Sequence, residues 1–338
     1  MQSNRRIWSI TILLLVALLI GMVWSMCIGK YPVTPMESLQ IVQRSIFGLS
    51  GSYDLMAESV VMGLRLPRIL AAVVIGAALS ISGATYQGIF KNPLVSPDFL
   101  GVSAGACIGA AIAILLSLSA AGIQLLAFCG GLLTVSITVM IPRLLKSDSN
   151  IMLVLSGIIV GGLMGSLLGL LKYIADPETQ LPAIVYWQMG SLSYVNIPTL
   201  ISVLPTIVGS AIILLSISWW IDIISLGEKE AQALGANVRR IRNVAIVCAT
   251  LLTASSVCVA GTIGWIGLVI PHFARMIVGP ENTKLLPAAA LVGALFLLMV
   301  DTAARTIGSA ELPLSVLTGI IGAPFYAWLL YKRRTNLT

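Results

Sequence analysis

Apolar runs of about twenty residues, parted by short polar breaks, recur along almost the whole 338-residue chain. About twenty residues is the helix length that crosses roughly 30 Å of hydrocarbon. The pattern predicts ten spans: Ile7 to Ile28, Leu66 to Ile89, Phe99 to Ser119, Gly122 to Leu144, Ile151 to Ile174, Ile197 to Ser218, Asn243 to Ala260, Gly264 to Gly279, Leu285 to Ile307 and Leu312 to Tyr331. The eighth is the weakest, being short and interrupted by Pro271, His272 and Arg275. Small residues recur at every fourth position within several spans: Gly157, Gly161, Gly165, Gly169; Ala72, Gly76, Ser80, Ala84; Gly101, Gly105, Gly109; and Ser315, Gly319, Ala323. A glycine costs about 1 kcal/mol against alanine in a soluble helix, but in lipid small residues on one face let two backbones touch. The stripes therefore predict hard packing between helices, and packing alone implies no substrate.

Two polar breaks are longer than the rest. The segment from Asp222 to Arg242, containing Leu226-Gly-Glu-Lys-Glu-Ala-Gln-Ala-Leu-Gly235, is charged and alanine-rich and predicts one or two short helices outside the bilayer. The segment from Asp176 to Val195, with Pro177, Pro182, Trp187 and Gly190, predicts a short interfacial helix after the fifth span.

Composition agrees with a single membrane domain over residues 1–338: 58% of residues are hydrophobic and 10% charged. A net charge of +7 would suggest nucleic acid in a soluble protein, but here it is read as topology, and no nucleic-acid partner is expected. Arg5 and Arg6 precede the first span and Lys332, Arg333 and Arg334 follow the last. Positive charge favours the cytoplasm, so both termini are expected there and the number of crossings is even. That topology leaves Lys30, Arg44, Arg65, Arg68, Lys172 and Arg305 on the outer face. Arg65 and Arg68 sit one turn apart at the outer end of the second span, and Arg305 at the outer end of the ninth. Such cations either snorkel or pair locally, Arg305 with Asp301 one turn earlier, or they form a docking surface for an acidic partner. The run from Ile7 is too long for a signal-peptide core and lacks a small-residue cleavage site, so it is expected to remain as a span. Five cysteines lie in apolar segments at no metal-ligand or paired spacing and are read as small packing residues.

Several chemistries are absent. No G-x-x-x-x-G-K-[ST] occurs, so any ATP is handled by another subunit, and no H-E-x-x-H occurs. The G-x-S-x-G match, Gly101 to Gly105, opens a small-residue membrane helix and lacks the strand-to-helix turn that exposes a nucleophile. The sole histidine, His272, has no evident acid to orient it, and beside Pro271 it is read as a partner for freed backbone carbonyls. No catalytic residue, metal site or cofactor is expected. An ion-coupled carrier remains an alternative, although the one clear intramembrane acid-base pair, Asp301 with Arg305, lies near a span end. A purely structural membrane scaffold is a third.

Four stretches carry a resemblance. Leu64-Arg-Leu-Pro-Arg-Ile-Leu-Ala-Ala-Val-Val-Ile-Gly-Ala-Ala-Leu79 leads to Lys91-Asn-Pro-Leu-Val-Ser-Pro97 and Leu100-Gly-Val-Ser-Ala-Gly-Ala106. Leu226-Gly227 leads to Leu234-Gly235. Ala260-Gly-Thr-Ile-Gly-Trp-Ile-Gly-Leu-Val-Ile-Pro-His-Phe-Ala-Arg275 and Glu311 to Phe325 complete the set. Together they resemble, in order along nearly the whole chain, the FecCD-type permeases, the membrane subunits of ABC importers for iron(III) siderophores, haem, cobalamin and, in some members, molybdate. Lys91, Val95, Trp265 and Ser315 stand where arginine, alanine, phenylalanine and glycine are usual, which blurs the subfamily.

The resemblance implies an all-α, type II ABC importer permease in the bacterial cytoplasmic membrane. It implies a homodimer in the lipid bilayer, with two ATPase subunits beneath it and a soluble or lipid-anchored substrate-binding protein above. Arg65, Arg68 and Arg305 resemble the arginines that receive carboxylates of the binding protein. Gly227, Glu228, Ala231, Leu234 and Gly235, within the 222–242 loop, resemble the helix that couples to the ATPase, small residues allowing close contact. Asn92 and Leu94, with Ser147 and Ser149, resemble the cytoplasmic gate. Gly157, Gly161 and Gly165 of the fifth span, with Ser315 and Gly319 of the tenth, look like the pathway lining. The cargo expected first is an iron(III) siderophore, then haem or cobalamin, then an oxyanion such as molybdate.

Overall fold

The computed structural model describes residues 2–48, 54–146, 150–308 and 310–335. Helix α1 (Gln2–Cys27) is followed by α2 (Pro35–Phe47). Helix α3 (Leu55–Glu58) passes through a π-helical turn (Ser59–Arg65) into α4 (Leu66–Phe90) without a break. Next come α5 (Val102–Leu115), α6 (Ala120–Leu144), α7 (Asn150–Ile174), α8 (Gln180–Met189) and α9 (Ile197–Ser216). Two short helices, α10 (Ser218–Leu226) and α11 (Glu228–Ala233), precede α12 (Val238–Ala260), α13 (Ile266–Val278), α14 (Asn282–Ala304) and α15 (Leu314–Thr335). No strand occurs among the described residues. Among the described residues seven helices are long and apolar enough to cross a membrane, and three shorter apolar ones, in α5, α13 and α15, lie where the other three of the ten spans are expected. Helix α13 has 13 residues, about 20 Å, so the weak eighth span covers only part of a bilayer as helix.

One element escapes hydropathy. Helix α2 starts on a capping box in which Thr34 Oγ1 accepts from the Glu37 amide and the Glu37 side chain accepts from the Thr34 amide, with Pro35 at the first turn. It stops at Gly48, whose φ of 65° closes the helix in the left-handed region. The expected interfacial helix is α8. The charged connector contains α10 and α11.

Helix α4 is the hub, packed against α14, α12 and α13. Its small-residue stripe serves that contact. A Cβ built on Gly76 would lie 2.3 Å from the Gly293 carbonyl oxygen of α14, and one on Gly83 would lie 1.9 Å from the Gly267 carbonyl oxygen. The stripe on α5 does the same against α6, where a Cβ on Gly109 would meet the Leu126 carbonyl oxygen at 1.9 Å. Hydroxyls add interhelical bonds: Ser82 Oγ donates to the Ala249 carbonyl at 2.8 Å, and Tyr86 Oη lies 2.9 Å from Thr250 Oγ1, both tying α4 to α12. Such bonds contribute about 0.6 kcal/mol each in membrane proteins, so close backbone packing carries more of the cohesion.

The stripe on α7 departs from expectation. Only Gly157 meets a neighbour, the Phe99 carbonyl oxygen, while Gly161, Gly165 and Gly169 have no atom within 4 Å of a built Cβ. Four-residue spacing makes a smooth face whatever lies opposite, and within this chain only its Gly157 end is covered. Cys107, Cys248 and Cys258 are buried as expected, whereas Cys129 is exposed on α6.

Replacing Gly76 by valine forces its side chain into the α14 backbone and should destabilise the detergent-purified protein by about 1–3 kcal/mol, the usual cost of overpacking. Gly209→Ala on α9, where a Cβ meets nothing, should leave the thermal midpoint unchanged or raised. Melting curves of the two variants check the contrast.

Candidate functional site

Helices α4 and α14 each run from one chemically distinct end to the other. At the first end, Arg65, Arg68 and Arg305 converge on a recess of about 300 Å³, shared with Lys30, Ser193 and Glu311. Their surroundings differ from a free cationic surface. Arg65 is 5% exposed, and its Nη1 and Nη2 donate to the carbonyls of Met26 and Tyr31. Arg305 donates to the Ile28 carbonyl at 3.0 Å and to the Ser25 carbonyl and hydroxyl. Two arginines thus cap the C-terminal turn of α1, whose last carbonyls lack helical partners and carry the negative end of the helix dipole.

Arg68 is 8% exposed and is clamped between two acids. Its Nε donates to both oxygens of Asp301, at 2.7 and 3.0 Å, and its Nη1 to both oxygens of Glu311, at 2.8 and 2.9 Å. Asp301 is fully buried, and the local pair expected for Arg305 exists only at 3.8 Å, because Arg68 takes that carboxylate first. Glu311 also accepts from the Ser193 hydroxyl. Burial pushes the Glu311 carboxyl up, but the Ser193 hydroxyl and the Arg68 charge outweigh it and hold the group below the usual glutamate value. The three arginines are therefore brought together, but Arg65 and Arg68 are buried and partnered rather than standing as exposed half-pairs. No local spacing could have revealed the partners, since Asp301 and Glu311 lie 233 and 243 positions from Arg68.

The charged connector packs at the other end of the same two helices. Ser225 Oγ, which donates to the Ile221 carbonyl at 2.9 Å, lies 3.4 Å from the Gly88 carbonyl near the end of α4, and Asp222 accepts from the amide and side chain of Asn282, which opens α14. About twenty residues of α4 separate Arg68 from Gly88, roughly 30 Å of helix. Gly227 at φ 155° and Gly235 at φ 84° bracket α11, conformations that favour glycine. Glu228 forms an ion pair with Arg242.

Ala231 is not available to a partner. It is 0% exposed, enclosed by Ile223, Ile224, Ala236 and Val238, so its small size serves the fold of the connector itself. The outward apolar residues are Leu234, 60% exposed, and Leu226. On a helix this short, size alone does not tell which side faces in.

The turn after α4 holds Asn92, whose Oδ1 accepts from the Leu94 amide at 2.9 Å, with both side chains exposed. Tyr326 of α15 donates to the Pro93 carbonyl at 2.9 Å, tying that turn to the last helix. Ser147 and Ser149 lie outside the described residues. On α7 the open glycines stand among exposed Ile158, Ile159 and Leu163. On α15 the expected lining residues turn toward this chain instead: Ser315 Oγ donates to the Met189 carbonyl at 2.6 Å, and a Cβ on Gly319 would lie 3.5 Å from Trp265 Nε1. Trp265, at φ 70°, opens α13 and seats its ring against Gly322, so the open side of α15 carries Val316 and Ile320. Among the described residues no cluster of three or more His, Cys, Asp or Glu could hold a metal.

Known proteins are similar to this chain along most of their length. The profile of the FecCD transport family matches residues 15–332. The molybdate import system permease protein MolB of Haemophilus influenzae is 39% identical over 326 residues, covering 96% of this chain and 95% of the relative. The hemin transport system permease protein HmuU of Yersinia pestis is 38% identical over 281 residues, covering 81% of this chain and 83% of its own. A solved structure described as a metal-chelate type ABC transporter in an inward-facing conformation superposes with a TM-score of 0.86 at 38% identity, covering 96% of this chain and 99% of that one. With a helix framework, a family profile and full-length relatives in agreement, the chain belongs to the FecCD transport family as a multi-pass membrane protein.

Proposed function

We propose that the chain is the membrane-spanning subunit of a binding-protein-dependent ABC importer that moves a metal chelate into the cytoplasm by alternating access. It acts as a homodimer, with two separate ATPase subunits at the α10–α11 end and a substrate-binding protein at the arginine end. Both termini lie in the cytoplasm. The observation that carries this reading is the placement of two unlike surfaces, a carboxylate-binding arginine recess and a glycine-bracketed connector, at opposite ends of the same helices α4 and α14. An acid feeder and a motor need opposite faces, and the chain has no nucleotide-binding motif of its own. The uncharged face of α7 around Gly161, Gly165 and Gly169 supports a role as pathway wall and contact to the second subunit, since a side chain there would meet nothing within the chain.

Glu311 is the internal counterpart of the acids that a binding protein would bring to Arg68. Arg68 is already paired with Asp301 and Glu311, so an incoming acid replaces an existing contact and the recess serves steering and register more than affinity. An iron(III) siderophore is the cargo assigned first, because a wall without charge suits a bulky chelate whose ion is already enclosed by its own ligands. Molybdate is a second reading, favoured by the likeness to MolB over 96% of this chain.

Three measurements check these assignments. Glu311→Gln removes the internal acid and should strengthen docking of the cognate binding protein several-fold at low salt, measured by surface-immobilised binding; unchanged docking at every ionic strength would remove the recess from that role. Leu234→Asp should leave the subunits assembled and ATP hydrolysis running while uptake stops, because a charge replaces the exposed apolar contact of the connector; retained coupling would discard the connector as the ATPase contact. In proteoliposomes holding the permease, the ATPase and the binding protein, a radiolabelled iron(III) siderophore should accumulate only with ATP. Accumulation of molybdate instead would hand the cargo to the second reading, and uptake driven by an ion gradient without the ATPase would make the chain a secondary carrier.

A further inference from the structure

We propose that the groove between α6 and α12 is a binding site for one anionic phospholipid of the leaflet at the connector end. Its acyl chain would lie along the groove and its phosphate on Arg143 and Asn243. The groove encloses about 480 Å³ and is lined by Leu132, Val135, Val139, Met140, Ile246 and Val247 along its walls. Two hydroxyls, Ser136 and Thr250, also line it, and both are already bonded: Ser136 Oγ donates to the Leu132 carbonyl at 2.8 Å, and Thr250 Oγ1 pairs with Tyr86 Oη at 2.9 Å. The interior therefore has no unsatisfied polar group to hold water, and hydrocarbon is its natural filling.

The dimensions and charge select the occupant. From Leu132 to Arg143 the groove follows about eleven residues of α6, roughly 16 Å, close to half of a 30 Å hydrocarbon core. A single leaflet's acyl chain matches that depth, with its headgroup at the Arg143 end. Arg143 is exposed in the last turn of α6 and has no ion-pair or hydrogen-bond partner among the described residues, nor has Asn243 across the mouth. Lys146 follows Arg143, and Arg239 and Arg240 stand in the first turn of α12, all exposed. Glu228 of the connector is engaged by Arg242. A mouth with surplus cations and a dry interior is complementary to a lipid bearing net negative charge, whereas a zwitterionic headgroup brings its own cation to the same place. The site is separate from the arginine recess and does not depend on the proposed cargo.

Native mass spectrometry of the full chain in detergent, equilibrated with phosphatidylglycerol or with phosphatidylcholine of the same acyl chains, tests the assignment. One phosphatidylglycerol per chain should be retained in preference to phosphatidylcholine, and millimolar inorganic phosphate should not displace it. Arg143→Gln should weaken retention about five-fold, the effect of one surface cation on an anionic lipid, and Arg143→Lys should restore it. Val247→Trp fills the groove without touching the charge and should abolish retention while the lipid-free melting curve is unchanged. Equal retention of the two lipids, displacement by phosphate alone, or phosphatidylglycerol retention unaffected by both Arg143→Gln and Val247→Trp would overturn the proposal.

Discussion

Everything in this structure hangs on the contact between the backbones of α4 and α14. Lipid tails are as apolar as leucine, so burying leucine between two membrane helices yields little; what holds them is the sum of close atomic contacts. At Gly76 and Gly293 the absence of side chains brings main chain against main chain, and Ser80 fills the notch beside Gly293 while its own hydroxyl satisfies the Gly76 carbonyl. With α14 seated there, α12 and α13 close round the other sides of α4, and the remaining helices form a partial outer layer with apolar faces left open to lipid or to a second subunit.

The same contact gives the molecule its polarity. Two helices locked side by side bring their four ends into two clusters, and each cluster is built from charge that the middle of the bilayer would not tolerate. At one end the acids Asp301 and Glu311 hold Arg68, while Arg65, Arg305 and Lys30 leave the recess with a net positive charge. At the other, Asp222 binds the start of α14 and Glu228 binds Arg242, fixing the connector to the bundle. Neither cluster could form if the helices were offset by even one turn.

Hydropathy made the long spans legible because lipid imposes a length on them, and the boundaries of α4, α6, α7 and α9 follow closely, whereas α12 starts five residues before the expected Asn243 because its first turns are charged. It could not show α2, whose mixed surface has no long apolar run, although Thr34-Pro35-Met36-Glu37 carries a helix-start pattern. The stripes were readable as faces but not as contacts: four-residue spacing looks alike on α4, where it meets α14, and on α7, where beyond Gly157 it meets nothing in this chain. Charges posed the converse difficulty. The arginines stood out by their position, yet the partners of Arg68 and Arg305 lie more than two hundred residues away in the chain, and the inward turn of Ala231 depends on isoleucines of a neighbouring helix.

The way α1 ends has a consequence for how the arginine end responds to touch. Met26, Ser25 and Ile28 give their carbonyls to guanidinium groups that stand just before α4 and just after α14, so the first helix owes the order of its closing turn to side chains it does not carry. A visiting acid that drew Arg65 or Arg305 outward would strip those carbonyls and let the tip of the first helix fray. Arrival of a partner would then be felt first as slack in a neighbouring strut, well before any movement reached the far side of the bilayer.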